Sequence, residues 1–289
     1  MIKMRGIAIL IFSLLFTNPV LHAQDESTSK NLRDSIPSID WGALQKSKAW
    51  EATESWENVP VISLNSQSIP QDAIILFSGK NLDSWQTPHS IIPANMPQAE
   101  YVANLDIPDS AGDPSKWLID NNEMTSPGNW ISTATKQSFG NVQLHIEWLS
   151  PKQENKSGQE YSNSGIFFMG LYEVQILNSF DNLTYSNGQA GSIYKQSAPL
   201  VNVSKQPDTW QVYDIVFTAP KFDEVGNLLS PAYMTVLHNG VLVQNHFELK
   251  GPTIFIGDSY YIQHENKLPL TLQDHGDNVR FRNIWIREL

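Results

Sequence analysis

The chain has 289 residues, with 19 Lys and Arg against 30 Asp and Glu, 40% hydrophobic residues, 10% aromatic, 17% charged, and no cysteine. The formal charge of -11 argues against a nucleic-acid partner, because phosphate backbones are held chiefly by Lys and Arg; neutral partners such as sugars stay open. The missing cysteine excludes a disulfide scaffold, thiol catalysis, a thiolate-held zinc or iron–sulfur site and a lipid anchor on an N-terminal Cys.

Lys3 and Arg5 precede the apolar run Ile7 to Phe16, and Val20-Leu21-His22-Ala23 gives way to polar Gln24-Asp25-Glu26. A positive start, a short apolar stretch and a small residue before a polar junction read as a cleaved secretory signal peptide over residues 1–23. The run is well short of the roughly 18–20 apolar residues that span a membrane, and no later segment could span. A large secreted chain without Cys suits a bacterial periplasm or exterior. Residues 24–71 are polar, with Trp41, Trp50 and Trp56 scattered among Pro37, Pro60 and Pro70. They read as an N-terminal arm, partly disordered, with one short helix around Trp41 to Trp50 and its tryptophans docked.

From residue 72 to 289 the texture is one of short apolar runs separated by Gly, Pro, Asn and Asp, the spacing of strands in a single sandwich domain. Ile74 to Phe77 is the first strand. Val142 to Trp148 alternates strictly, with Gln143, His145 and Glu147 on the polar side, and Tyr172 to Leu177 repeats the pattern with Glu173 and Gln175 on that side. Trp210 to Phe217 is a further strand, and Trp148 and Trp210 read as core. Tyr233 to Leu237 and Val241 to Phe247 flank His238-Asn239-Gly240, a hairpin signal because both Asn and Gly accept φ > 0. Leu268 to Leu272 follows. Near the C-terminus the apolar parity slips between Phe281 and Ile284, which predicts a one-residue β-bulge at Arg282-Asn283. Helical periodicity is scarce, so the expected fold is all-β: two antiparallel sheets packed face to face.

Two carboxylates stand on the polar side of otherwise apolar strands, Glu147 beside His145 and Glu173 beside Gln175. If those strands are neighbours in one sheet, the four side chains share a face, and a carboxylate pair can divide acid and base roles; otherwise they solvate an exposed surface. Gln273-Asp274-His275-Gly276 follows a strand as a loop tip, where functional residues concentrate. Asn163-Ser164-Gly165 can offer an amide at a strand start. Asn187-Gly188-Gln189-Ala190-Gly191 lacks the Lys-Ser/Thr pair of a phosphate loop and reads as a flexible turn.

The strings themselves resemble the 3-keto-disaccharide hydrolase family, a bacterial group, and the resemblance implies a two-sheet antiparallel jelly-roll sandwich of the concanavalin A-like type. The resemblance opens at Asp72-Ala73-Ile74-Ile75-Leu76-Phe77-Ser78-Gly79-Lys80 and continues in the family's order. It runs through Val142-Gln143-Leu144-His145-Ile146-Glu147-Trp148, Asn163-Ser164-Gly165, Tyr172-Glu173-Val174-Gln175-Ile176-Leu177 and Gly188-Gln189-Ala190-Gly191-Ser192-Ile193-Tyr194. Leu272-Gln273-Asp274-His275-Gly276 and Phe281-Arg282-Asn283-Ile284-Trp285 complete it. Asn178 departs from the Asp expected after Leu177.

The resemblance implies action on glycosides whose C3 hydroxyl has been oxidised to a ketone, and so a functional link to a sugar C3 oxidoreductase. A C3 ketone acidifies the C2 proton; a base removes it, the C1 glycosidic oxygen leaves by β-elimination, and water adding back gives net hydrolysis. Either His145 or Glu147 is then the expected base, Glu173 supports the electrophile or binds metal, and His275 is a proton donor. Asn163, Gln175, Gln189, Tyr194, Lys195 and Gln273 are expected to recognise sugar hydroxyls. A divalent metal ion would suit enediolate stabilisation, with His145, Glu147 and Glu173 as its candidate ligands. The alternatives are a conventional glycosidase using Glu147 and Glu173, or a non-catalytic carbohydrate-binding module.

Overall fold

In the computed structural model, which describes residues 40–48, 51, 54–88 and 113–289, the chain divides into two units, residues 1–60 and 61–289. The predicted signal peptide, the start of the arm and Trp50 lie outside the described residues. In the first unit Asp40 caps helix α1 (Trp41–Ser47), its carboxylate accepting from the Ala43 N–H at 3.0 Å, which satisfies one of the N–H groups a helix start leaves open. Lys48 closes it in the left-handed region at φ 54°. Trp41 and Trp56 are exposed. Residues 61–71, assigned to the arm by composition, belong to the second unit. No helix of the described residues is long and apolar enough to cross a membrane.

The second unit consists of strands β1 (Ile74–Phe77), β2 (Trp85–Thr87), β3 (Asp113–Pro114), β4 (Leu118–Asp120), β5 (Glu123–Thr125), β6 (Thr133–Phe139), β7 (Val142–Leu149) and β8 (Ser164–Phe168). They continue with β9 (Tyr172–Ile176), β10 (Gln211–Thr218), β11 (Lys221–Phe222), β12 (Leu228–Ser230), β13 (Tyr233–His238), β14 (Val241–Glu248), β15 (Leu268–Leu272) and β16 (Arg280–Glu288). One sheet has eight strands in the order β14-β13-β10-β7-β16-β5-β4, with β1 also on β16; the other has six, β3-β2-β6-β15-β8-β9. β11 and β12 form a separate small hairpin.

The alternation in β7 is realised: Val142, Leu144, Ile146 and Trp148 are buried while Gln143, His145 and Glu147 are half-buried on the other side. The core between the sheets takes Trp148, Tyr213, Phe217 and Phe281 from the first sheet and Trp85, Ile166, Phe168 and Tyr172 from the second. Phe217 joins the two layers, its ring centroid 5.0 Å from Phe168 and 5.6 Å from Tyr172. Each such side chain contributes roughly 1.5–3 kcal/mol through burial.

Asn239 and Gly240 turn the β13–β14 hairpin at φ 52° and 79°. In β16, Arg282 lies opposite Glu147 and Trp285 opposite His145, so three steps face two and Asn283 is the inserted residue, at φ 47°. Two expectations fail. Trp210 is not core: it is half-buried, with the Arg282 guanidinium 4.0 Å from its ring centroid. β9 is buried on both sides, so Glu173 and Gln175 do not solvate an open surface.

Candidate active site

The two strands that carry the predicted glutamates are in different sheets. β7 sits in the middle of the eight-stranded sheet, while β9 is the last strand of the six-stranded one. Glu147 and Glu173 therefore do not form a pair, and His145 does not share a face with Gln175. Single-strand parity cannot tell which sheet a strand joins, which is why the sequence grouped them.

His145 and Glu147 are tied into a network of their own. The Nδ1 of His145 is 2.7 Å from an Asp214 carboxylate oxygen and its ring stacks on Trp285 at 5.3 Å. Glu147 accepts from Arg282 Nε at 2.7 Å and from the Asn283 amide at 2.9 Å, and that amide also lies 3.2 Å from His145 Nε2. The bulge supplies both partners, since it places Arg282, Asn283 and Trp285 against the same stretch of β7.

The other candidates come together on the outer face of the six-stranded sheet. β8 and β9 pair with Gly165 opposite Gln175 and Phe167 opposite Glu173. The pleat turns Ile166, Val174 and Ile176 into the core, so Asn163, Gly165, Glu173 and Gln175 face the other way. On the far side of β8, Thr271 of β15 lies opposite Phe167. The strand runs on to Gln273, whose N–H donates to the Gly165 carbonyl at 2.9 Å. β15 ends at Leu272, and His275 lies in the loop that follows.

Glu173 is only 4% exposed. Its backbone N–H donates to Thr253 Oγ1 at 3.0 Å, while its carboxyl takes part in no hydrogen bond or ion pair among the described residues. Burial alone pushes that carboxyl up to about 8, so at neutral pH it is a neutral acid with an O–H to donate. Gly165 makes the space: a Cβ there would overlap a Glu173 carboxyl oxygen and lie 3.0 Å from the carboxyl carbon. Residues 191–194 run beside β9, with the Gln175 N–H donating to Ser192 O and the Gly191 N–H to Gln175 O, each at 3.0 Å, and the Tyr194 N–H to Glu173 O at 3.4 Å.

Around this acid the polar groups are held by one another. Gln175 Nε2 donates to Asn163 Oδ1 at 3.3 Å, and Asn163 Nδ2 donates to the Gln159 carbonyl at 2.8 Å. The Asn163 N–H donates to buried Asp277, which also binds Lys156 Nζ at 2.5 Å and Gln153 Nε2 at 2.8 Å. Tyr194 shares a 2.7 Å hydroxyl contact with Tyr185, and burial followed by that bond raises its pKa far above the ordinary phenol value. Lys195 Nζ sits 4.0 Å from the Tyr185 ring centroid. Gln189 is half-buried at the end of the short 3-10 turn Ser186–Gly188.

His275 lies against Trp130, the ring centroids 4.5 Å apart. Burial, the largest cause, pushes its imidazole below 6.5, which favours the neutral ring, with one nitrogen lone pair, near neutral pH. Its neighbour Asp274 is buried and structural, accepting from the N–H groups of Asn129, Ile131 and Gly276 at 2.9–3.2 Å. Asn178, the departure noted in the sequence, is buried and accepts from the Phe180 N–H at 3.2 Å, a turn-building role.

The three candidate metal ligands do not fit one ion. His145 and Glu147 are engaged with Asp214, Asn283 and Arg282, Glu173 is in the other sheet, and no group of three or more His, Asp or Glu suited to a metal occurs among the described residues. The sequence reading missed Trp130, Asp277, Tyr185 and Gln159. Trp130 alone left a signal, a Trp set in the loop sequence Gly128-Asn129; the others depend on long-range contacts.

The family match and the likeness to a solved structure identify this β-sandwich as a carbohydrate-active enzyme. The chain belongs to the family of the 3-keto-alpha-glucoside-1,2-lyase-like domain, whose model matches residues 72–287. It is similar to a solved structure from Parabacteroides distasonis described as a "putative glycosyl hydrolase", with 38% identity over 83% of this chain and 96% of that one and a TM-score of 0.71. A second Parabacteroides distasonis structure with the same description shares 16% identity over 76% of this chain and 94% of that one, with a TM-score of 0.51, a likeness of fold. No curated protein matches the chain.

Proposed function

We propose that this protein cleaves 3-keto-glycosides by removing the C2 proton and eliminating the C1 oxygen, with water able to add back for net hydrolysis. The observation that carries the reading is the buried Glu173 carboxyl on the amide-bearing outer side of β9, which keeps its proton up to about 8, with a His275 imidazole whose pKa burial lowers from 6.5 so that the ring is neutral at neutral pH. Groups whose environments push their pKa values apart in this way are suited to divided acid and base roles.

The roles follow. His275 accepts the C2 proton, and the electron pair of the broken C–H bond moves into an enediolate across C2 and C3. Glu173 donates a hydrogen bond to the ketone oxygen as negative charge grows there, the task of an oxyanion-stabilising group. Collapse of the enediolate restores the ketone, forms the C1–C2 double bond and expels the glycosidic oxygen, which takes the proton held on His275. Water adding at C1, with a proton returning to C2, gives the free 3-keto sugar. Asn163, Gln175 and Gln273 hold hydroxyls; Tyr194, kept neutral, and Lys195 border the acid. No step is routed through a metal ion. His145 and Glu147 support β7 and β16 and take no part in the chemistry. A sugar C3 oxidoreductase would supply the ketone, and export through residues 1–23 would place the reaction outside the cytoplasm.

The test is incubation with 3-keto-trehalose or 3-keto-sucrose beside the unoxidised disaccharides, in D2O, with and without chelator. The proposal expects product from the keto sugars alone and deuterium at C2 of recovered material. Cleavage of unoxidised disaccharide at the same rate would point to an ordinary glycosidase, and saturable binding without product to a binding module.

A further inference from the structure

Of the six tryptophans in the second unit, Trp85, Trp117, Trp148 and Trp285 are buried, and Trp210 is half-buried against Arg282. Trp130 is the exception, with 56% of its surface open to solvent. Its φ of 66° lies in the left-handed region. A bulky side chain adopts that conformation only where the surroundings impose it, and such positions cluster at ligand clamps and active sites. Turn geometry alone would be served there by Gly or Asn.

One carboxylate imposes the conformation. Oδ2 of buried Asp274 accepts from the N–H groups on both flanks of Trp130, Asn129 at 3.0 Å and Ile131 at 3.2 Å, while Oδ1 accepts from the Gly276 N–H at 2.9 Å. His275 stands between Asp274 and Gly276, so the two oxygens fix the Trp130 loop relative to the imidazole. The rings meet at a centroid distance of 4.5 Å and an angle of 49°. Gly276, at φ 85°, leaves room for the indole: a Cβ there would come within 3.1 Å of its Cε2 and Nε1. A large apolar ring is thus set on rigid supports beside half-buried His275 and left uncovered.

We infer that Trp130 is the platform on which the sugar face bearing C2–H and C4–H lies, and that it selects the configuration at C4. The family of this chain acts on carbohydrates, and the slightly positive C–H face of a pyranose complements the negative face of an indole. Taking His275 as the group that removes the C2 proton, this assignment rests on the proposed function. In a gluco-configured ring the axial C2–H and C4–H point to the same face. An imidazole that reaches C2–H therefore brings the adjoining indole against C4–H. The C4 epimer turns a hydroxyl toward that indole, whose face gives it no partner, and an unpaired hydroxyl pressed on apolar surface is penalised. The substrate class narrows to 3-keto-glycosides with an equatorial C4 hydroxyl.

The test uses the full chain and two variants, Trp130→Gly and Trp130→Phe. Gly suits φ 66°, so the loop keeps its course while the ring is lost, and Phe keeps a smaller platform. NMR titration with methyl glucoside and methyl galactoside measures binding apart from chemistry, and turnover of their 3-keto forms measures both. The wild type should favour the gluco over the galacto sugar by about tenfold or more in Kd and in kcat/KM. Trp130→Gly should weaken the gluco sugar about tenfold and leave the galacto sugar within about threefold, and Trp130→Phe should retain part of the preference. Equal affinity of the wild type for both epimers, or a preference that survives Trp130→Gly, overturns the inference. An equal loss on both epimers, with a lower melting temperature and no rescue by Phe, makes Trp130 a structural prop and overturns it as well. A binding preference that needs Trp130 without turnover of any keto sugar upholds the platform and overturns the proposed chemistry instead.

Discussion

Replacing Glu173 with Gln separates the ionisation of the buried acid from everything else around it. In the unfolded chain this carboxyl titrates at 4.5, while in the fold it keeps its proton to about 8. Below pH 4.5 both states carry the proton and stability is at its full value. As pH rises from there the unfolded chain releases the proton and the folded one does not, so stability falls and levels off above the folded pKa. At about 1.4 kcal/mol per pH unit, the loss between 4.5 and 7 is on the order of 3 kcal/mol. Glu173→Gln retains an amide of the same shape with nothing to ionise, so this pH dependence should vanish. Urea unfolding of both proteins between pH 4.5 and 8.5 reads it directly. The variant should also lose about 10²–10³ in turnover of a 3-keto-glycoside, the usual cost of removing an oxyanion donor. Parallel stability curves for the two proteins, or full turnover by the variant, would refute the reasoning.

Further outcomes are expected. The pH profile of kcat/KM should be bell-shaped, rising with pH as His275 loses its proton below 6.5 and falling as Glu173 ionises near 8; His275→Asn should abolish the acidic limb and lower the rate about 10²–10⁴-fold. Gly165→Ala should cost about 1–3 kcal/mol by overpacking and impair turnover, because the new methyl meets the Glu173 carboxyl; chemical unfolding and kinetics check the two effects. His145→Ala should stay active within about twofold while losing about 1 kcal/mol of stability, since its contacts are with Asp214 and Trp285 on the other sheet; loss of turnover with an unchanged melting temperature would restore it to the site.

Much of the fold was legible because strand periodicity is local. The alternation of β7, the Asn239-Gly240 turn and the parity slip at Asn283 each express a backbone rule within a few residues, and each is found where it was read. The site was legible in type but not in assembly. Glu173 and Gln175 had the right parity, yet their neighbours include residues 191–194 and Gly165, more than a strand's length away or across the ladder. Glu147 had the same local pattern as Glu173 and a different fate, because the order of strands in a sheet is a long-range property. Trp210 reads as core from alternation alone, but Arg282 claims its face. His275 was found as a loop-tip residue, while the direction of its pKa followed from burial that only the folded chain provides.

The segment beside β9 carries one more consequence. β9 ends its sheet, and an uncovered edge strand of such apolar sequence would template pairing with other chains. Residues 191–194 occupy part of that edge through Ser192 O, Gly191 N and Tyr194 N, and Tyr194 of the same segment lies close enough to Glu173 to interact with it electrostatically. Protection of the edge and the surroundings of the acid therefore share one segment. Engineering that loosens this segment to admit bulkier sugars should lower the Glu173 pKa and the solubility of the protein together, and selection for solubility alone would tend to preserve the acid's environment.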